Sequence, residues 1–166
     1  MACSEPCTAA CGTLAWRGEL EMKAYAMSFD GALLGRGFWL YVWRITAGSR
    51  SVLYVGRTGD SSSAHASSPF KRIGQHLDAG PNAKGNALAR QLQRAGLPPE
   101  RCTFEMVAVG PLFPEQEDME RHKTFRDKAG ALERALADHL RAAGHTVIGN
   151  HPRALPTTAR SGFRRR

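Results

Sequence analysis

The sequence predicts an α/β (α+β) domain: a small central mixed or antiparallel β-sheet of about three strands, flanked by helices. Three observations predict it. Two runs rich in aromatic and β-branched residues, 38–45 and 52–57, are separated by a short connection holding Ala47-Gly48-Ser49, the pattern of a hairpin. Apolar residues then recur at helical spacing in two segments, after Pro69 and after Asn86. An alternating run at 102–109 leads finally to a long helical pattern that stops before Gly144.

Taken in chain order, residues 1–36 read as an N-terminal extension, with a helix-like stretch at 16–25 and a turn at Asp30-Gly31. The domain spans 37–152, and 153–166 form a basic C-terminal tail. The first strand is apolar on both alternating faces apart from Arg44, so it should be buried. An even number of loop residues would put Tyr41 and Tyr54 on one sheet face. The serine-rich stretch 59–68 reads as a loop, and Pro69 suits the first turn of a helix. In that helix Phe70, Ile73 and Leu77 make the expected apolar stripe, with Arg72 and His76 stacked one turn apart on a neighbouring face. A second helix covers 86–95 and ends at Gly96, with Pro98-Pro99 beyond. Residues 111–120 read as a proline-bounded acidic connector. The last helix runs from about 127 to 143 with Ala129, Leu132, Leu136, Leu140 and Ala143 as its stripe, bordered by Glu133.

Composition narrows the function. The chain has 166 residues, with 23 Lys plus Arg against 15 Asp plus Glu, a formal net charge of +8. Such a balance favours phosphate-rich partners, DNA among them, through counterion release. The terminal Gly162-Phe163-Arg164-Arg165-Arg166 adds a basic cluster suited to sequence-independent phosphate contact. No apolar run approaches a membrane span, and the first residues lack the order of an export signal, so a cytoplasmic protein without a membrane partner is expected. Cys3, Cys7 and Cys11 recur every four residues, but no paired Cys-x-x-Cys accompanies them, so they read as free thiols rather than a zinc site. Cys102 reads as core.

The chemistry-bearing residues are Tyr41 and Tyr54 on the hairpin, Arg72 and His76 on the next helix, and Glu133 on the last. Phosphodiester hydrolysis needs an activated water, stabilisation of an anionic phosphorane and a departing alkoxide, and a divalent cation can assist all three. Magnesium commonly takes one or two carboxylates and keeps water on its other positions, so one glutamate suffices. Glu133, beside an apolar stripe, needs a cation or hydrogen-bond donors.

In that order these residues resemble the landmarks of the GIY-YIG nuclease domain. Trp39-Leu40-Tyr41 and Tyr54-Val55-Gly56 stand where the two name motifs fall, with Trp39 and Leu40 in place of glycine and isoleucine and Gly37 close by. Arg72, His76, Glu133 and Asn150 follow in the family's order. The resemblance implies a DNA endonuclease that uses Mg2+, with Mn2+ as a substitute, and no organic cofactor. It implies Glu133 as the metal ligand and Tyr41 as the general base. Tyr54 would position water or phosphate, Arg72 would stabilise transition-state charge, and His76 would orient or deprotonate the tyrosine. Arg57, Lys71, Asn150, Arg164, Arg165 and Arg166 are the expected nucleic-acid contacts. The alternative is a nucleic-acid-binding module of the same fold that does not cleave. His145, Asn150 and His151 fall within seven residues, too close together for an H-N-H arrangement spread over a hairpin and a helix.

Overall fold

The computed structural model describes residues 23–60, 63–80, 82–149 and 151. The chain divides after Gly31, and residues 23–30 before that division have no regular secondary structure. The remainder of the helix-like stretch at 16–25, the cysteines at 3, 7 and 11, Asn150 and the tail at 153–166 lie outside the described residues.

The part from Ala32 onward is a mixed α/β unit. Its strands are β1 (Phe38–Ala47), β2 (Arg50–Arg57), β3 (Thr103–Phe113) and β4 (Val147–Ile148), in spatial order β3-β1-β2-β4. The helices are α1 (Pro69–Leu77), α2 (Ala87–Arg94) and α3 (Met119–Ala142). β1 pairs antiparallel with β2 and β3, while β4 runs parallel to β2. Among the described residues the sheet therefore has four strands where about three were expected. The extra one is two residues long, started by a bond from Leu53 N to Thr146 O at 2.8 Å, and is too short to carry an alternation pattern.

Gly48 and Ser49 alone close the β1–β2 hairpin, and Gly48 takes a φ of 59°, which a glycine-first two-residue turn requires. The loop is even, as anticipated. Tyr41 stands opposite Gly56 and Trp43 opposite Tyr54, so both tyrosines leave the same face as diagonal neighbours. That face carries Tyr41, Trp43, Ile45, Val52 and Tyr54 under Leu88 and Leu92 of α2, with Ile73 and Leu77 of α1 at its margin. A second cluster joins Phe38, Ala66 and Ala129 with Phe113 and Phe125. Beside it Thr58, fully buried, accepts a hydrogen bond from Trp39 N and donates one to Gly37 O, which fixes the end of β2 to the start of β1.

Two helices present other faces than periodicity indicated. Ser68 caps α1 by accepting from Lys71 N at 3.2 Å, with Pro69 next as anticipated. Its most buried residues, however, are Pro69, Arg72 and His76, while Phe70, Ile73 and Leu77 are half-buried. The polar face turns inward because Tyr41, Asp60 and Gln75 supply its hydrogen bonds. In α3 the buried line is His122, Ala129, Gly130 and Ala137, and Leu132 is 44% exposed. This helix also begins at Met119, earlier than the expected 127, because Asp118 accepts from Arg121 N at 2.8 Å and caps it. β3 takes up 111–113 of the expected connector.

Candidate functional site

The site is built where β2 ends. Tyr41 is 1% exposed, and its hydroxyl lies 2.6 Å from His76 Nε2 and 3.1 Å from the Arg57 carbonyl oxygen. The Tyr41 ring occupies space that any residue but glycine would need at position 56. A Cβ on Gly56 would meet that ring, at 2.8 Å from its hydroxyl oxygen. The glycine after Tyr54-Val55 thus seats the first tyrosine. His76 sits edge-on to both tyrosines, with ring centroids 5.7 Å from Tyr41 and 5.6 Å from Tyr54.

Hydrogen-bond accounting assigns the protons. The Arg57 carbonyl can only accept. If the Tyr41 O–H donates there, His76 donates Nε2–H to the phenol oxygen, and its Nδ1 is left as a bare acceptor. The reverse assignment would leave Nδ1–H as a buried donor with no partner among the described residues. Orphaned buried donors are the rarer defect, so the first arrangement holds at rest. His76 then steadies the phenol oxygen as a donor rather than removing its proton.

Burial, chiefly, pushes the Tyr41 phenol well above its ordinary range. Arg72 opposes that shift, and the negative charges of Tyr54 and Asp60 add to it. Tyr54 is pushed up to about 12 by burial first and then by Glu133, so the Glu133 carboxylate is felt at the second tyrosine. His76 is pushed down to about 4, from an ordinary 6.5, by burial and by the Arg72 charge. Both members of the Tyr41–His76 pair are therefore neutral near pH 7.

A stability prediction follows from His76 alone. Between about pH 6.5 and 4 the unfolded chain binds a proton there that the folded chain refuses, so folding stability falls as pH drops through that window. The thermal midpoint of the wild type should fall more on acidification from pH 7 to 4.5 than that of His76→Gln. Equal falls would show that His76 is not held neutral.

Arg72 is 8% exposed. Its Nη1 donates to Gln75 Oε1 at 2.7 Å, and its Nη2 forms an ion pair with Asp60. Its Nε is buried without a partner among the described residues. Asp60 and Gln75 were not singled out from sequence. Asp60 follows Gly59, whose φ of 78° turns the chain back toward α1. A lone aspartate in a glycine- and serine-rich loop has no periodicity to mark it.

Glu133 lies on the other side of β2. Leu40 stands opposite Arg57, so the Arg57 side chain leaves the face opposite Tyr41. There Arg57 Nε donates to Glu133 Oε2 at 2.9 Å, with both side chains about four-fifths buried, at 18% and 19% exposure. Arg57 is thus the ion-pair partner of Glu133. His151 completes this half. Its Nε2 is 2.9 Å from the Val55 carbonyl oxygen and 3.8 Å from Glu133 Oε1, and Arg141 Nη2 approaches its Nδ1 at 3.3 Å. The carbonyl needs a donor at Nε2 and the guanidinium an acceptor at Nδ1, which orients the ring. The His151 ring also lies against Tyr54, at a centroid distance of 6.3 Å.

The structure thus brings Tyr41, Tyr54, Arg72 and His76 into one cluster and sets Glu133 with Arg57 and His151 beside it. Tyr54 stands between the two. Among the described residues no hydrogen bond or ion pair joins Glu133 to Tyr41, Arg72 or His76. Lys71 is exposed on α1. An open cavity of about 800 Å³ lined by Val42, Leu53, Val107 and Leu140 among others includes none of the candidate site residues.

Among the described residues no three or more His, Cys, Asp or Glu side chains gather as a metal cage. Zinc would need such a set. A hard cation that keeps most of its water needs less, and Glu133 offers Oε1 while Oε2 is held by Arg57. The donor set fits a magnesium-type ion on one carboxylate. Among the described residues no helix is long and apolar enough to cross a membrane. The chain matches no protein-family model, no curated protein and no solved structure with which it was compared.

Proposed function

We propose that this chain is a metal-dependent endonuclease of the GIY-YIG type that hydrolyses phosphodiester bonds in DNA. The observation that carries the reading is the contact of the Tyr41 hydroxyl with His76 Nε2 at 2.6 Å, in a cluster that also holds Tyr54 and a buried Arg72. A structural role for Tyr41 would be met by the Arg57 carbonyl alone. Arranging a histidine on the same oxygen, with a guanidinium charge opposing the burial of a phenolate, is what proton transfer at that oxygen requires.

In this reading Glu133 would hold the ion, which would supply Lewis acidity. Arg72 offers its guanidinium to the phosphate oxygens that gain charge. Tyr41 would take a proton from the attacking water as its own phenolic proton passes to His76 Nε2, which requires His76 to switch to the tautomer with Nε2 bare. Tyr54 orients the water or the phosphate. Arg57 would pass from Glu133 to the substrate backbone, which would leave Oε2 as well as Oε1 to a cation.

A second reading, a nucleic-acid-binding module without cleavage, is favoured by one observation. Both charged candidates already hold internal partners, Arg72 with Asp60 and Glu133 with Arg57. Magnesium-dependent cleavage by the wild type separates the two, and Tyr41→Phe then tests the hydroxyl, since it removes one oxygen and keeps the ring seated on Gly56. Single-turnover cleavage by Tyr41→Phe should fall roughly a hundredfold or more, while the thermal midpoint falls modestly with the loss of the buried hydrogen bonds at that oxygen. An unchanged rate would take the proton-transfer role away from Tyr41.

A further inference from the structure

Among the described residues the arginines are unevenly satisfied. Arg36, Arg44, Arg57, Arg72, Arg121, Arg126 and Arg141 each pair with a carboxylate. Arg50, Arg90, Arg94 and Arg101 pair with none among the described residues; Arg90 and Arg94 lie on α2, Arg101 in the turn after it, and Arg50 at the start of β2, from where its side chain reaches the end of α2. Arg134 on α3 is the remaining arginine of that kind. Arg90 and Arg94 are one turn apart and exposed on α2. Arg50, from the hairpin tip, donates to the Ala95 carbonyl at 2.9 Å, so its charge is held at the C-terminal end of the same helix. Arg101 closes the 3-10 turn Pro99–Arg101 that packs beside α2. The one acid in that turn, Glu100, makes no ion pair among the described residues.

We propose that this arginine surface, centred on Arg90 and Arg94, is a second nucleic-acid contact that grips the phosphate backbone at a distance from the cleavage site. Guanidinium groups suit phosphate better than point charges do, because they donate two parallel bonds. The spacing also suits a duplex. β2 runs from Arg50 at this surface to Arg57 at the candidate site, and its length is about 24 Å at about 3.4 Å per residue. That is about seven steps along a B-form strand. An anionic membrane is the less suitable occupant. A helix that lies on lipid exposes apolar residues beside its cations, whereas α2 buries Leu88, Ala89 and Leu92 and exposes Arg90, Gln93 and Arg94.

The inference concerns binding and does not depend on cleavage. It is tested in chelator with the full chain and a fluorescein-labelled duplex of about 20 base pairs, by anisotropy over a salt series. Arg90→Gln/Arg94→Gln should weaken binding on the order of tenfold near 0.1 M salt and reduce the slope of log K against log salt by about 2. Lys123→Gln/Arg134→Gln on α3 removes the same charge and should change the slope by less than half as much. Circular dichroism and the thermal midpoint establish that both variants are folded. An unchanged slope for the α2 variant, or equal losses for the two, would overturn the proposal. So would wild-type binding to phosphatidylserine vesicles, and not to the duplex, that is lost in the α2 variant. A chain that binds through α2 yet cuts nothing would retain this inference and lose the nuclease reading.

Discussion

Glu133→Ala is expected to abolish cleavage in magnesium while binding DNA in chelator no more weakly than the wild type. The single carboxylate is the only protein ligand assigned to the cation, so its loss removes Lewis acidity worth several kcal/mol, roughly a thousandfold or more in rate. The sign of the binding effect follows from the ion pair. Glu133 holds Arg57 at 2.9 Å, and removing it frees a guanidinium and raises the net positive charge of the surface. The alanine variant also leaves a largely buried arginine without its partner, so its thermal midpoint should fall. Glu133→Gln retains an oxygen that can accept from Arg57 and distinguishes loss of ligation from loss of fold. Magnesium-dependent cutting at the wild-type rate by the glutamine variant would remove Glu133 from the metal role.

Arg72→Lys should be severely impaired although the charge is conserved. The guanidinium is held from two directions, by Gln75 Oε1 at 2.7 Å and by Asp60, and its Nε is buried without a partner among the described residues. Lysine can occupy one of these directions but cannot hold two acceptors in one plane while presenting a donor to phosphate. Loss of a preorganised donor costs about 2–4 kcal/mol of transition-state stabilisation, a roughly 30- to 1,000-fold fall in kcat/KM. The lysine variant should still fold, because an ammonium can pair with Asp60. Near-native cleavage would mean that Arg72 contributes charge alone.

The hairpin was legible in the sequence because its signals are local. Aromatic and β-branched runs flank Gly48-Ser49, and an even loop places Tyr41 and Tyr54 on one face. The helix start at Pro69 and the stop before Gly144 were legible for the same reason. β4 was not, since Val147 and Ile148 are held by pairing with β2 and two residues have no period. The inward faces of α1 and α3 were misjudged because amphipathicity ranks side chains by apolarity. Here Arg72 and His76 are buried by virtue of their hydrogen-bond partners. Those partners explain the rest. Asp60 lies 12 residues before Arg72, His151 lies 96 residues after Val55, and only the folded chain brings them together. Glu133 was legible as a carboxylate on the margin of a helix stripe, but its pairing with Arg57 across β2 was not.

The measurement that bears most directly on the nuclease reading is nicking of supercoiled plasmid by the purified full chain, in magnesium, in manganese and in chelator. Conversion to open-circular and linear forms with either ion, and none in chelator or with Glu133→Gln, is the expected result. Contradiction would come from a folded protein that binds DNA yet cuts no plasmid, linear, branched or RNA substrate with either ion, or from cutting that persists undiminished in chelator.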